Sequence, residues 1–118
     1  MLNERAAPEK CIFAIVLLLF MQTILLIGAG RSSTTLIQYL LKHAAENDWM
    51  LTVGDASEEL AKSKTANHQR GKGIRFDIRD NEQRKTEISK ADCVISMLPA
   101  HMHLPVAVEC IRQKIYLQ

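Results

Sequence analysis

Residues 24–33 read Ile24-Leu25-Leu26-Ile27-Gly28-Ala29-Gly30-Arg31-Ser32-Ser33. The short apolar run ended by glycine suits a parallel strand covered on both faces. The turn after it fits G-x-G-x-x-G/A with Ser33 in the third place, and each place has a physical task. Gly28 permits a tight turn out of the strand. Gly30 lets the backbone come close to a pyrophosphate. The third residue must be small so that the following helix packs on the strand, and serine meets that need. The helix then aims free N–H groups and its positive end at phosphates, with Arg31, Ser32 and Ser33 available as further donors.

Downstream, strand and helix signals alternate. Thr34 to Asn47 carries Leu36, Ile37, Leu40, Leu41, Ala44 and Ala45 at i, i+3, i+4 spacing, which predicts one helix. Trp49 to Val53 predicts a second strand, closed by Gly54-Asp55. Ser57 caps the next helix, with acids in its first turn, running to about Asn67. Gly71 and Gly73 mark a basic loop before a third strand, Ile74 to Ile78. Asp80 caps a helix over 81–90. Cys93 to Leu98 predicts a fourth strand stopped by Pro99, followed by a helix over 102–114 and a fifth strand beginning at Ile115-Tyr116-Leu117. The expected fold is therefore α/β: a Rossmann-type parallel sheet of four to five strands, helices on both faces, forming an incomplete doubly wound fold.

Asp55 ends the second strand, where a carboxylate accepts hydrogen bonds from the adenosine ribose and repels a 2′-phosphate. NAD is thus the expected cofactor, with NADP kept open by Lys62, Lys64, Arg70 and Lys72. Asp77 and Ile78, at the end of the third strand, are placed to meet the adenine. Leu98, Pro99 and His101 follow the fourth strand, near the pyrophosphate and nicotinamide ribose. His101 and His103 do not face one way on a helix, so neither is assigned to catalysis.

The composition fits this reading. The chain has 118 residues, 47% hydrophobic and 24% charged, the size and balance of one globular domain. A net charge of +2 and 5% aromatic residues give no footing for nucleic acid. Cys11, Cys93 and Cys110 share no metal-ligand spacing and read as free thiols of a reducing cytosol, so no metal is expected and the expected location is cytoplasmic. Cys11 to Phe20, CIFAIVLLLF, resembles a signal peptide, but no small-x-small cleavage site follows it. A membrane span is also disfavoured, because Ile24 to Ile27 are needed as the strand and the remaining run is too short. Residues 1–20 are expected to be an apolar extension upstream of a natural start at Met21, and residues 21–118 an NAD(P)-binding domain truncated before a substrate domain.

ILLIGAGRSS, VGDAS, IRFDIRD and ADCVISMLPAHMHLPVAVECI together resemble the N-terminal part of the saccharopine dehydrogenase and reductase family. The last segment is the most specific. The resemblance implies an oxidoreductase of lysine metabolism acting on a secondary amine that joins lysine to a dicarboxylic acid. It implies cofactor contacts at Gly28, Gly30, Arg31, Ser32, Asp55, Asp77, Leu98, Pro99 and His101. The amino-acid substrate would be held only in the complete enzyme, so this chain alone would bind the dinucleotide without turnover, and its catalytic residues stay unknown. A homodimer is a possible assembly. Two rival readings share the glycine loop and strand-end acid: a regulatory nucleotide-sensing module of a transport system, and a methyltransferase using S-adenosylmethionine.

Overall fold

The computed structural model of the chain describes residues 21–66 and 68–118. The expectations for the apolar extension, Cys11 and the helix end at Asn67 fall outside the described residues. Five parallel strands form one sheet: β1 (Gln22–Ile27), β2 (Trp49–Asp55), β3 (Gly71–Arg75), β4 (Cys93–Ser96) and β5 (Tyr116–Leu117), in the order β3-β2-β1-β4-β5. The helices are α1 (Thr34–Lys42), α2 (Ala44–Asn47), α3 (Glu58–Lys64), α4 (Asn81–Ser89) and α5 (His103–Gln113).

The apolar run of β1 shows why it is apolar throughout. Leu25 and Ile27 face one layer, with Ile88 of α4 and Val106 and Cys110 of α5. Leu26 faces the other, with Ile37, Leu40 and Leu41 of α1 and Ala61 of α3. Side chains alternate across a strand, so a strand covered on both sides needs apolar groups at every position. Each of these β1 side chains, fully buried, contributes about 1.5–3 kcal/mol. Two caps read from the sequence are made: Ser57 Oγ accepts the Leu60 amide at 3.2 Å, and Asp80 Oδ1 accepts the Gln83 amide at 3.0 Å.

Three boundaries differ from expectation. The helix expected over 34–47 is broken at His43 (φ −99°, ψ 3°) into α1 and α2. Trp49 Nε1 donates to the Leu40 carbonyl at 2.9 Å, the acceptor that an unbroken helix would offer to the Ala44 amide. The third strand is Gly71–Arg75, not Ile74–Ile78, so both glycines lie within the strand. A Cβ on Gly73 would stand 2.5 Å from the Lys62 nitrogen and 2.6 Å from the Ala61 carbonyl carbon, because the α3 backbone rests directly on β3. These glycines serve close approach rather than a turn. Finally, β4 ends at Ser96, and Ala100–Met102 form a 3₁₀ turn before α5 begins.

Among the described residues no helix is long and apolar enough to cross a membrane. On Cys110, burial pushes the thiol pKa up from its ordinary 9.0, and the Glu109 carboxylate and Cys93 push the same way.

Two outcomes follow from this packing. Gly73→Ala, which forces a methyl into the α3 backbone, should destabilise the fold by about 1–3 kcal/mol in urea unfolding. Because the unfolded chain releases the Cys110 proton first, stability should decline as pH rises past the ordinary thiol value. Urea midpoints from about pH 8 to about pH 10 should fall less steeply in Cys110→Ala than in the parent.

Candidate active-site crevice

The strand order reverses direction at β1: β2 and β3 extend to one side, β4 and β5 to the other. The loops leaving β1 and β4 therefore part toward opposite faces, opening a crevice at the C-terminal ends of the strands. The glycine turn lies at that end. Gly28 has φ +106°, a conformation that favours glycine, and a Cβ there would also sit 3.0 Å from the Met97 carbonyl oxygen. Its amide donates to the Gly54 carbonyl at 2.7 Å, which ties the turn to β2.

Asp55 makes the second tie. Its Oδ1 accepts the Ala29 amide at 2.9 Å and its Oδ2 the Ser57 amide at 2.9 Å. The half-buried carboxylate thus holds the β1 loop and the entry to α3 at once. Gly30 precedes the 3₁₀ turn Arg31–Ser33, and a Cβ on it would meet nothing within 4 Å. Among the described residues no acceptor takes the amides of Gly30, Arg31 and Ser32. Ser33 differs from its neighbours. It is buried, its hydroxyl donates to the Gly28 carbonyl at 2.6 Å and its amide to the Gly30 carbonyl at 3.0 Å. Its donors are committed to the turn itself, while Arg31 and Ser32 are exposed.

Beside this loop is a cleft of about 650 Å³. Ile27, Phe76 and Leu98 give it an apolar lining, and Asp55-Ala56, Asp77 to Arg79, and His101-Met102 also line it. Asp77 and Ile78 are held there by α4. Gln83 accepts the Asp77 amide at 2.9 Å and donates to the Arg75 carbonyl at 2.6 Å, and Arg84 Nη1 donates to the Ile78 carbonyl at 2.6 Å. The Arg79 amide and then its guanidinium hold the Asp77 carboxyl below its ordinary range.

Of the residues expected here, Asp55, Asp77, Ile78, Leu98 and His101 share the cleft, and Gly28, Gly30, Arg31 and Ser32 form the loop joined to it through Asp55. Pro99 does not line the cleft; its carbonyl accepts the Met102 amide at 2.8 Å. His103 also lies outside that lining, with Nδ1 2.6 Å from Ser96 Oγ. None of the cations singled out from sequence lines the cleft: Lys62 pairs with Glu58 at 2.9 Å, Arg70 approaches Asp48 at 3.9 Å, and Lys64 Nζ donates to Thr34 Oγ1 at 2.5 Å, at the start of α1 beside the glycine turn. The cleft's own cations are Arg79, in the loop after β3, and Arg84, in α4, and neither carries a sequence signal beyond its charge.

Comparison with known proteins agrees with this geometry. Residues 24–117 match the family described as saccharopine dehydrogenase NADP binding domain. A saccharopine dehydrogenase [NADP(+), L-glutamate-forming] of Pyricularia oryzae is 29% identical over 93 residues, 79% of this chain and 20% of that protein. The apo saccharopine dehydrogenase (L-Glu forming) of Saccharomyces cerevisiae has a TM-score of 0.72 at 26% identity, over 81% of this chain and 21% of that one. A wide-type short-chain dehydrogenase/reductase of Veillonella parvula in complex with NADP shares the fold, with a TM-score of 0.62 at 17% identity, over 81% of this chain and 45% of that one. The chain spans about a fifth of the length of the saccharopine dehydrogenases it resembles. The match is to a dehydrogenase cofactor domain, and neither the transport-linked sensor nor the methyltransferase reading gains support from it.

Asp55→Ala removes the acceptor of two amides. It should destabilise the fold by about 1–3 kcal/mol, and hydrogen exchange should quicken at Ala29 and Ser57 while the α4–α5 layer keeps its protection.

Proposed function

The chain belongs to the saccharopine dehydrogenase NADP binding domain family, and from that membership we propose that its glycine turn grips the diphosphate of NADP(H) while the neighbouring cleft takes the adenosine. The observation that carries this is the space over Gly30. A glycine with an ordinary extended backbone and no atom of the described residues within 4 Å of its missing Cβ has no structural reason among them to lack a side chain. A phosphate seated on the Gly30, Arg31 and Ser32 amides gives one.

The residues present fit the group. Three amides with no acceptor among the described residues lie in the turn after β1, where charge–dipole attraction and direct N–H donation act together. Ser33 holds the turn in shape through its bond to Gly28 rather than by touching phosphate. Asp55 orients the loop, and its remaining lone pairs face the cleft where the ribose would lie. Ile78 and Leu98 offer an apolar surface to the rings. His101, exposed beside Leu98, stands toward the nicotinamide half. When bound, the cofactor supplies hydride chemistry at its nicotinamide; the chain binds and orients it.

The expectation of NAD rested on a free carboxylate at Asp55. Here each oxygen of that carboxylate already accepts an amide, which offsets part of its repulsion toward a 2′-phosphate. Together with the family's description, this favours NADP. For the complete enzyme we propose oxidoreduction of a secondary amine of an amino acid, in keeping with the names of its relatives.

Calorimetric titration should show NADPH binding to the parent chain and no heat from S-adenosylmethionine. Gly30→Ala should weaken NADPH about 10-fold or more with an unchanged thermal midpoint, since its methyl meets only the space the phosphate needs. Equal NADPH affinity in that variant would remove the proposal's footing.

A further inference from the structure

We propose that Arg79 is the 2′-phosphate specificity residue of the cleft, and that Asp77 occupies its guanidinium as an internal stand-in anion until the phosphate arrives. The inference rests on the NADP reading above. NADP differs from NAD by one group, a phosphate on the adenosine 2′-oxygen, and the Asp55-Ala56 edge of the cleft is where that ribose belongs. A phosphate there next to the Asp55 carboxylate requires a cation.

Two guanidinium groups line the cleft, and only one has both terminal nitrogens without a partner among the described residues. Both terminal nitrogens of Arg84 are committed, Nη1 to the Ile78 carbonyl at 2.6 Å and Nη2 to Asn81 Oδ1 at 2.5 Å, and its Nε, which has no partner among the described residues, is buried away from the cleft's solvent. Arg84 is a clamp on the loop that carries Asp77. Arg79 makes one side-chain contact, Nε to Asp77 Oδ1 at 3.2 Å, and its side chain is 88% exposed. Its two terminal nitrogens donate to no atom among the described residues, and together they match the fork a phosphate accepts.

The placement of Asp77 completes the case. The Phe76 amide donates to the Asp55 carbonyl at 2.8 Å, so Asp77 follows directly on the strand pair that ends at Asp55. Its carboxylate feels both Arg79 and Arg75, and Arg75 pairs in register with Asp55. An anion already sits among these cations, beside the edge where a ribose phosphate would enter. Its contact with Arg79 is solvent-exposed and therefore weak, so a phosphate dianion with two parallel hydrogen bonds displaces it readily. Asp77 keeps its bond from the Arg79 amide after the exchange, so the loop does not have to refold.

The test compares NADPH, NADH and 2′,5′-ADP by calorimetry on the parent chain, Arg79→Gln and Asp77→Asn, with thermal midpoints confirming that each variant folds. Arg79→Gln should weaken NADPH and 2′,5′-ADP about 10-fold or more and leave NADH within about twofold. Asp77→Asn keeps an oxygen for the Arg79 amide and removes the competing charge, so it should tighten NADPH and 2′,5′-ADP severalfold relative to NADH. Equal loss of NADPH and NADH in Arg79→Gln, an NADPH preference that survives it, or an Asp77→Asn variant with the parent's selectivity would overturn the inference. A parent chain that binds neither dinucleotide would instead overturn the cofactor-site reading itself, and one that prefers NADH would overturn the NADP reading on which the inference rests.

Discussion

The crevice depends on one carboxylate. Asp55 joins the amide of Ala29, in the turn after β1, to the amide of Ser57, at the cap of α3. Those two points belong to different loops. Held together, they fix the base of the turn that carries the Gly30, Arg31 and Ser32 amides. A charged acceptor suits this task better than a neutral one, because each N–H to carboxylate bond is stronger than its neutral counterpart. The cost is a negative group beside a site for a still more negative ligand. Committing both oxygens to amides is the local answer to that cost, and cations around the cleft are the wider one.

The sheet makes the brace possible. β1 and β2 pair in register from Gln22 with Trp49 to Ile27 with Gly54, so the turn after Ile27 and the carboxylate after Gly54 arrive side by side. Register in a buried strand is strongly specified, since a slip of one residue would exchange Leu26 with Leu25 and Ile27 between the two packed layers. The packing of apolar side chains far from any ligand therefore sets where the loop amides point. Positioning in this molecule runs from core to register to loop.

Much of this was legible in the residues. The apolar run of β1 has few other interpretations once a glycine turn and an amphipathic segment follow it. Ser57 and Asp80 announce helix starts because their side chains mimic the missing backbone acceptors. The parallel sheet with helices between its strands follows from alternating elements and right-handed crossovers. The misread parts share one cause: they depend on particular side-chain hydrogen bonds that residue type and periodicity do not specify. The break at His43 comes from the Trp49 indole reaching back to Leu40. Ser33 reads as a phosphate donor until its hydroxyl is seen on the Gly28 carbonyl. Arg79 and Arg84 are both plain loop or helix cations in the sequence, and only their hydrogen bonds show that the terminal nitrogens are engaged in Arg84 and open in Arg79.

The glycines make the same point more sharply. Gly73 and Gly28 are each crowded where a Cβ would stand, by the α3 backbone and by the Met97 carbonyl. Their lack of a side chain is explained within the protein. Gly30 is not crowded at all, and its backbone is one that most residues adopt. In a one-letter sequence the three are identical, and a reading by motif assigns them by position alone. The distinction that matters is what fills the absent side chain's place: protein for a packing glycine, open space for one that faces a ligand. By that criterion the emptiness over Gly30, next to three amides unpaired among the described residues, points outward to a bound group, while the crowding over Gly73 points inward to the fold.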